Sequence, residues 1–232
     1  MGRPYTTVHK IAFPYGVLTS VRLPGEATPV PQHVLKQLRP QERLVAAGLS
    51  GFRQMTWTGG RLALHKSLGA LGVKHQELLS GPYGEPLLPE GYSGSISHKG
   101  NLVVALAARA DHGTLGVDLE DPSGPSRDVA QKVLCETENA WVDQLPEERR
   151  WPATLMHFSL KEAIYKALFP HVRRYVGFKE ARVQINVNDV CPTELQLKEG
   201  EGPFKVEARL HWLGDKILSV ARIQREEQGP NH

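Results

Sequence analysis

Two stretches of the chain repeat an apolar residue every three or four positions. Residues 59–72, GGRLALHKSLGALG, set Leu62, Leu64, Leu68 and Leu71 roughly on one side of a predicted helix. Residues 158–169, FSLKEAIYKALF, set Leu160, Ala163, Ile164, Ala167 and Leu168 on one face of a second. A predicted hairpin follows each of them. The first runs Ser95–His98, turns at Lys99-Gly100-Asn101 and returns over Leu102–Ala108. The second runs Glu207–Trp212, turns at Leu213-Gly214-Asp215 and returns over Lys216–Ile223. A Gly-Asn or Gly-Asp pair between β-rich runs is a hairpin signal. A further helix is predicted from Asp128 to Leu145, where Val129, Val133, Thr137 and Trp141 recur every four residues. The pattern predicts an α+β fold of two similar lobes, each a sheet packed with a helix. They cover residues 1–115 and 116–232, and the segment from Ala110 to Leu115 links them.

Composition narrows the class. Of 232 residues, 40% are hydrophobic and 23% charged, which excludes a disordered chain and lets a core form without staples. Glycine and proline, 22 and 17 residues, promise many loops. The longest apolar run, Leu102–Ala108, is far short of the roughly 20 residues a membrane span needs, so no membrane partner is expected. Cys135 and Cys191 have no further cysteine at metal-ligand spacing. They read as two reduced thiols of a cytosolic protein. The first residues lack the basic-then-apolar pattern of a secretory leader, and the match of Met1, Gly2 and Thr6 to a myristoylation pattern is taken as chance.

Charge is uneven. The net charge of +3 is too mild to argue for nucleic acid. Residues 1–116 carry 12 basic and 6 acidic side chains, while residues 117–232 carry 16 and 19. A basic half joined to an acidic half suits a phosphate-rich ligand on one side and a metal on the other. Accidental asymmetry is the plainer alternative.

The densest chemistry is Gly116-Val117-Asp118-Leu119-Glu120. Alternation puts Asp118 and Glu120 on one face of a strand, where they repel unless a cation lies between them. The alternative is a half-buried strand with a polar outer face. In Phe158-Ser159-Leu160-Lys161-Glu162-Ala163-Ile164-Tyr165-Lys166, Ser159 and Glu162 fit a capping box, and Glu162 with Lys166 forms an i, i+4 pair. Beside Asp118 and Glu120, Glu162 would complete an all-oxygen set that selects a hard cation such as Mg²⁺. Lys166, on the same helix face, would meet the phosphates of that metal. In Ser97-His98-Lys99-Gly100, His98 could donate to a phosphate or simply cap the strand end. Arg53 and Arg61 could reach one polyanion, or be two solvated arginines. Gly91-Tyr92-Ser93-Gly94-Ser95 lacks the last glycine of a nucleophile elbow, and no phosphate loop or dinucleotide fingerprint occurs.

In this order, the pieces resemble the 4'-phosphopantetheinyl transferases of the large, two-lobed, surfactin-synthetase-activating type. The motifs are Gly-Val-Asp-Leu-Glu at 116–120 and Phe-Ser-Leu-Lys-Glu-Ala-Ile-Tyr-Lys-Ala at 158–167, with Ser97-His98 and Gly84-Glu85-Pro86 upstream. The resemblance runs from Arg53 to about Leu168 and weakens towards Ile223. It implies transfer of phosphopantetheine from coenzyme A to a serine of an apo acyl or peptidyl carrier protein, leaving 3',5'-ADP. It implies two pseudo-twofold-related lobes with the site in the cleft between them, in a cytoplasmic monomer serving polyketide or nonribosomal peptide synthesis. By the same resemblance Asp118, Glu120 and Glu162 hold Mg²⁺, and Glu162 helps deprotonate the serine. Lys166 contacts phosphate oxygens, and Lys161 supports that region. Arg53, Arg61, Ser97 and His98 contact coenzyme A. The carrier docks beyond Glu120, where Arg127, Lys132, Val133 and Leu134 follow the loop from Asp121 to Pro125. His65 stands where many relatives have arginine, and Glu85 where some have lysine. A non-catalytic coenzyme A- or carrier-binding protein of the same fold is the alternative; a metal-dependent phosphohydrolase is another.

Overall fold

The run Leu102–Ala108 is buried along its whole length, because it lies inside a sheet. In a computed structural model, which describes residues 3–74, 76–124 and 129–226, the chain divides into two units between His112 and Gly113. The first unit has strands β1 (Thr7–Phe13), β2 (Gly16–Arg22), β3 (Tyr92–Lys99) and β4 (Leu102–Arg109), with helices α1 (Gln32–Leu35), α2 (Pro40–Ala47) and α3 (Gly51–Ala70). Its antiparallel sheet has the order β1-β2-β4-β3. The β3–β4 hairpin is the expected one and turns through Gly100 at a φ of 56°. The β1–β2 hairpin has no Gly-Asn or Gly-Asp turn, and the hydrophobic pattern does not announce it.

Helix α3 begins eight residues before the expected start. Its buried Met55 packs with Leu62, Leu64 and Leu68 against Val21, Leu23, Val103 and Ala105. Gly59 and Gly60 are not its boundary but its closest approach to the sheet. A β-carbon on Gly59 would stand 2.5 Å from Leu23 Cδ2.

The second unit holds β5 (Thr114–Glu120), α4 (Ala130–Val133), α5 (Glu136–Asp143), α6 (Glu147–Val172), β6 (Ala181–Val183), β7 (Thr193–Leu195), β8 (Phe204–Leu213) and β9 (Lys216–Arg225). Its main antiparallel sheet is β5-β9-β8, and β6 pairs with β7. The expected helical face is buried as read: Leu160, Ala163, Ile164, Ala167 and Leu168 lie against Ala208, Leu210, Ile217, Ala221 and Ile223. The helix is longer than expected, however. Ser159 is interior and buried rather than an N-cap, so the capping-box reading of Ser159 and Glu162 is corrected. Leu155 supplies apolar burial a turn upstream and carries the helix back towards Pro146. The helix expected over Asp128–Leu145 is two short helices, with Leu134 and Cys135 extended between them.

One device occurs in both units. Glu42, the third residue of α2, accepts from the Arg39 amide (2.9 Å), the Leu78 amide (2.7 Å) and His65 Nε2 (2.8 Å). Glu138, the third residue of α5, accepts from the Cys135 amide (2.8 Å), the Val183 amide (2.8 Å) and Lys161 Nζ (2.6 Å). In each, a short helix is capped by a carboxylate that also binds a basic side chain of the unit's long helix, His65 in the first and Lys161 in the second. The two units thus share this capping device, and in each two short helices and a long one stand between a strand and a later hairpin.

Candidate active site

Strand β5 turns its even-numbered side chains towards α6. Thr114 Oγ1 donates to the Ala167 carbonyl at 2.7 Å. Gly116 has no room for a side chain, since a β-carbon there would stand 1.7 Å from the Ala163 carbonyl oxygen. Asp118 and Glu120 follow on the same face. Asp118 is 6% exposed, and Val117 and Leu119 on the other face are also buried. The reading of a half-buried strand with a polar outer face is therefore overturned: the acidic face lies under the helix.

Helix α6 brings two groups to that face. Lys166 Nζ donates to Asp118 Oδ1 at 2.8 Å and to the Val117 carbonyl at 3.0 Å. Glu162 lies one turn earlier and is half-buried. Burial pushes its carboxyl above the ordinary carboxylate range. Lys166 opposes this, while the charges of Asp118 and Glu120 add to it. Asp118, Glu120, Glu162 and Lys166 are therefore one electrostatic group at the crossing of β5 and α6.

Among the described residues, no three His, Cys, Asp or Glu side chains stand as a ready metal cluster. The Lys166 ammonium is the cation beside Asp118 here. The donor set still fits a hard ion: it is all oxygen, and it sets the three carboxylates of Asp118, Glu120 and Glu162 against the one ammonium of Lys166. The strand end that carries Glu120 is anchored by a contact the sequence reading missed. Lys216 Nζ binds Asp121 Oδ2 at 3.0 Å. The Ser123 hydroxyl, with Lys216 and against the effect of burial, holds the Asp121 carboxyl down at about 2.

Two residues expected at coenzyme A are used elsewhere. Lys161 is fully buried, and its ammonium is taken by Glu138 and by the Val133 carbonyl at 2.9 Å. Arg61 is 4% exposed. Its guanidinium donates to the carbonyls of Leu78 and Leu79 and to Ser80 Oγ, and lies over the Trp57 ring at 4.6 Å. Burial lowers its pKa to about 10. Both side chains stitch the fold together: the Lys161 ammonium is fully engaged inside, while Arg61 is held through Nε and Nη2. Arg53 differs. It is exposed on the first turn of α3, beside Phe52, whose ring lies 5.9 Å from that of His98 at the end of β3. Arg53 and His98 are both exposed, and Phe52 ties the start of α3 to the end of β3, where Ser97 is half-buried.

His65 is bound to Glu42, which accounts for a histidine at that position. Glu85 folds back to accept from the Tyr83 amide at 3.0 Å and so closes its own loop. In the carrier region, Val133 and Leu134 are not surface anchors. They are buried with Val142, Ala153 and Phe178. Lys132 is exposed, and Arg127 lies outside the described residues. A concave patch lies beside them, lined by Gln131, Leu134, Cys135, Glu136, Asn139 and Lys179. Glu138 escaped the sequence reading because its partner cap is cysteine in place of the usual serine or threonine. The only signal was a glutamate three residues after an extended position.

Comparison with known proteins gives the chain its family. Residues 41–108 match the family model described as 4'-phosphopantetheinyl transferase N-terminal domain, and residues 114–221 match that of the 4'-phosphopantetheinyl transferase superfamily. Over 164 residues the chain is 32% identical to 4'-phosphopantetheinyl transferase Svp of Streptomyces mobaraensis, covering 68% of this chain and 65% of that one. It is 28% identical to 4'-phosphopantetheinyl transferase Npt of Nocardia iowensis, covering 67% and 69%. It is 30% identical to 4'-phosphopantetheinyl transferase PptT of Mycobacterium tuberculosis, covering 62% and 63%. The match thus spans about two thirds of these relatives' lengths. Among solved structures, the holo-[acyl-carrier-protein] synthase of Thermotoga maritima aligns with a TM-score of 0.39 and 18% identity, over 48% of this chain and 63% of that one. With both family models matched in sequence order, and the acidic strand and its lysine helix inside the second, the chain belongs to the 4'-phosphopantetheinyl transferase superfamily.

Proposed function

We propose that this chain moves the 4'-phosphopantetheine group from coenzyme A to a serine hydroxyl of an apo carrier protein and releases 3',5'-ADP. The observation that carries the reading is the convergence of Asp118, Glu120 and Glu162 with Lys166 where β5 crosses α6. The reaction joins the serine oxygen to the phosphorus that bears pantetheine and breaks the bond from that phosphorus to 3',5'-ADP. Its difficulty is electrostatic, since an anionic phosphoryl centre repels the incoming oxygen. Asp118, Glu120 and Glu162 would hold Mg²⁺, which when bound neutralises phosphate charge and orients the pyrophosphate. Lys166 would place its ammonium on phosphate oxygens and supply a proton to the departing group. Glu162 would take the serine proton directly or through water.

Arg53, Ser97 and His98 of the first unit would bind coenzyme A phosphates. The acyl or peptidyl carrier would dock near the patch beside α4 and α5, steered by Lys132 and Arg127. The presence of both family domains in one chain supports the large, two-lobed type acting as a monomer. Two free thiols fit a cytoplasmic setting. No helix among the described residues is long and apolar enough to cross a membrane.

The test is a mass measurement. Apo carriers incubated with the protein, coenzyme A and Mg²⁺ should gain one phosphopantetheine, and a chelator should stop the gain. If no carrier of a broad panel gains that mass, the reading falls. Release of 3',5'-ADP without any carrier would favour the phosphohydrolase. A second expectation separates binding from turnover. Arg53→Ala and His98→Ala should each raise the KM for coenzyme A by roughly 5–150-fold, the loss of one charge-assisted contact of about 1–3 kcal/mol. Lys166→Ala should mainly lower kcat. Unchanged KM values in steady-state kinetics would remove Arg53 and His98 from the site.

A further inference from the structure

Strand β9 faces α6 with one polar residue among apolar ones. Its helix-facing row is Ile217, Ser219, Ala221 and Ile223, opposite Glu120, Asp118, Gly116 and Thr114 of β5. All four residues of the row are fully buried, and the three apolar ones join the core beneath Leu160, Ala163, Ile164 and Ala167. Ser219 alone carries a hydroxyl, and its Oγ is buried with no hydrogen-bond partner. A hydroxyl left unmet in a core is unfavourable relative to alanine.

Packing does not account for the serine. Space under α6 is short, as Gly116 shows, so a small residue is required. Alanine meets that need, and Ala221 meets it one cross-strand pair further along. What is special about position 219 is its neighbour. Ser219 is directly opposite Asp118. Such partners have β-carbons roughly 4.5–5.5 Å apart with side chains on the same face, so a change of one side-chain torsion brings the hydroxyl to the carboxylate. In the structure described here, the Asp118 carboxylate is drawn to Lys166 instead.

We infer that Ser219 is a positioning residue for Asp118, its hydroxyl donating to the Asp118 carboxylate when that carboxylate turns to a divalent cation. The inference rests on the proposed reading of Asp118 as a metal ligand. Ligating carboxylates are themselves oriented by hydrogen-bond donors, and loss of such a donor weakens metal binding by roughly 10–100-fold. The same hydroxyl adds nothing to the metal-free fold. The two effects of removing it therefore have opposite signs.

The experiment uses the full chain with saturating coenzyme A. Mg²⁺ is titrated into wild type, Ser219→Ala and Asp118→Asn, with binding followed by calorimetry and by melting temperature. Ser219→Ala is expected to melt at or slightly above wild type without metal, and to need roughly 10–100-fold more Mg²⁺ for half-maximal response. Equal Mg²⁺ dependence of Ser219→Ala and wild type, with the response lost in Asp118→Asn, overturns the inference alone. A response that survives in Asp118→Asn overturns the ligand reading and the inference with it. A metal-free Ser219→Ala that melts well below wild type shows that the hydroxyl serves the fold, and overturns the inference too.

Discussion

Glu138→Ala is expected to destabilise the second unit by about 3–5 kcal/mol, the usual result of removing one partner of a buried ion pair. The Lys161 ammonium has no exposed surface, so without Glu138 it is a buried charge with only the Val133 carbonyl and the Cys135 sulfur near it. The amides of Cys135 and Val183 lose their acceptor at the same time. For a chain of this size the melting temperature should fall by roughly 6–20 °C, in a transition reporting the second unit. The effect depends on pH in a definite direction. Burial alone would raise the Glu138 carboxyl, but the Cys135 thiol, Lys161 and the two amides outweigh it and hold the group below the ordinary range. A lowered carboxyl adds stability above its unfolded value of about 4.3 and loses it as pH falls through the folded one. The gap between variant and wild type should therefore narrow in acid. Lys161→Met added to Glu138→Ala should recover much of the loss. If Glu138→Ala alone melts with wild type at neutral pH, the ion pair does not hold the unit together.

Glu162→Gln is expected to cut turnover by roughly 10²–10⁴-fold, the contribution of a general base. It should at the same time make the metal-free protein more stable. Burial and two acidic neighbours raise the Glu162 carboxyl in the fold, so the folded protein binds that proton more tightly than the unfolded chain. The ionised wild type then carries a penalty that is absent below about pH 4, grows as pH rises and is complete above the raised folded value. Glutamine removes that penalty. Melting curves from pH 4 to 8 should show the Gln variant gaining on wild type towards neutrality. A variant that keeps full kcat, or shows no such gain, would take Glu162 out of the site.

The parts of this site that were legible in the sequence are those set by local periodicity. Asp118 and Glu120 share a face because strands alternate, and Glu162 and Lys166 share one because helices repeat. That the strand face and the helix face meet is tertiary, and only the family resemblance suggested it. Residues whose meaning depends on burial were misread. Arg61 and Lys161 look like solvent-seeking cations, yet each is fixed inside by backbone carbonyls, with Ser80 adding to the hold on Arg61 and Glu138 to that on Lys161. Ser159 matched a capping box because that pattern is short; burial of Leu155 upstream kept the helix going. The even spacing of Val129, Val133, Thr137 and Trp141 continued across a break, with Val133 buried and Trp141 42% exposed. Ser219 gave no signal, because a lone serine in an apolar strand gains meaning only from the residue opposite.

The seat of Ala163 on Gly116 bears on timescales. With the helix backbone lying on a bare α-carbon of β5, α6 cannot press closer, and sliding along the strand would drive it into Thr114 or Asp118. The backbone frame of the acidic group is thus set before any ligand arrives. Rearrangement there falls to torsions of Asp118, Glu120, Glu162 and Lys166. Such side-chain turns leave the backbone in place, whereas helix shifts take microseconds to milliseconds. Relaxation dispersion at the backbone amides of β5 and α6 should accordingly stay flat as Mg²⁺ is added, and the slow steps of a catalytic cycle should lie outside this crossing.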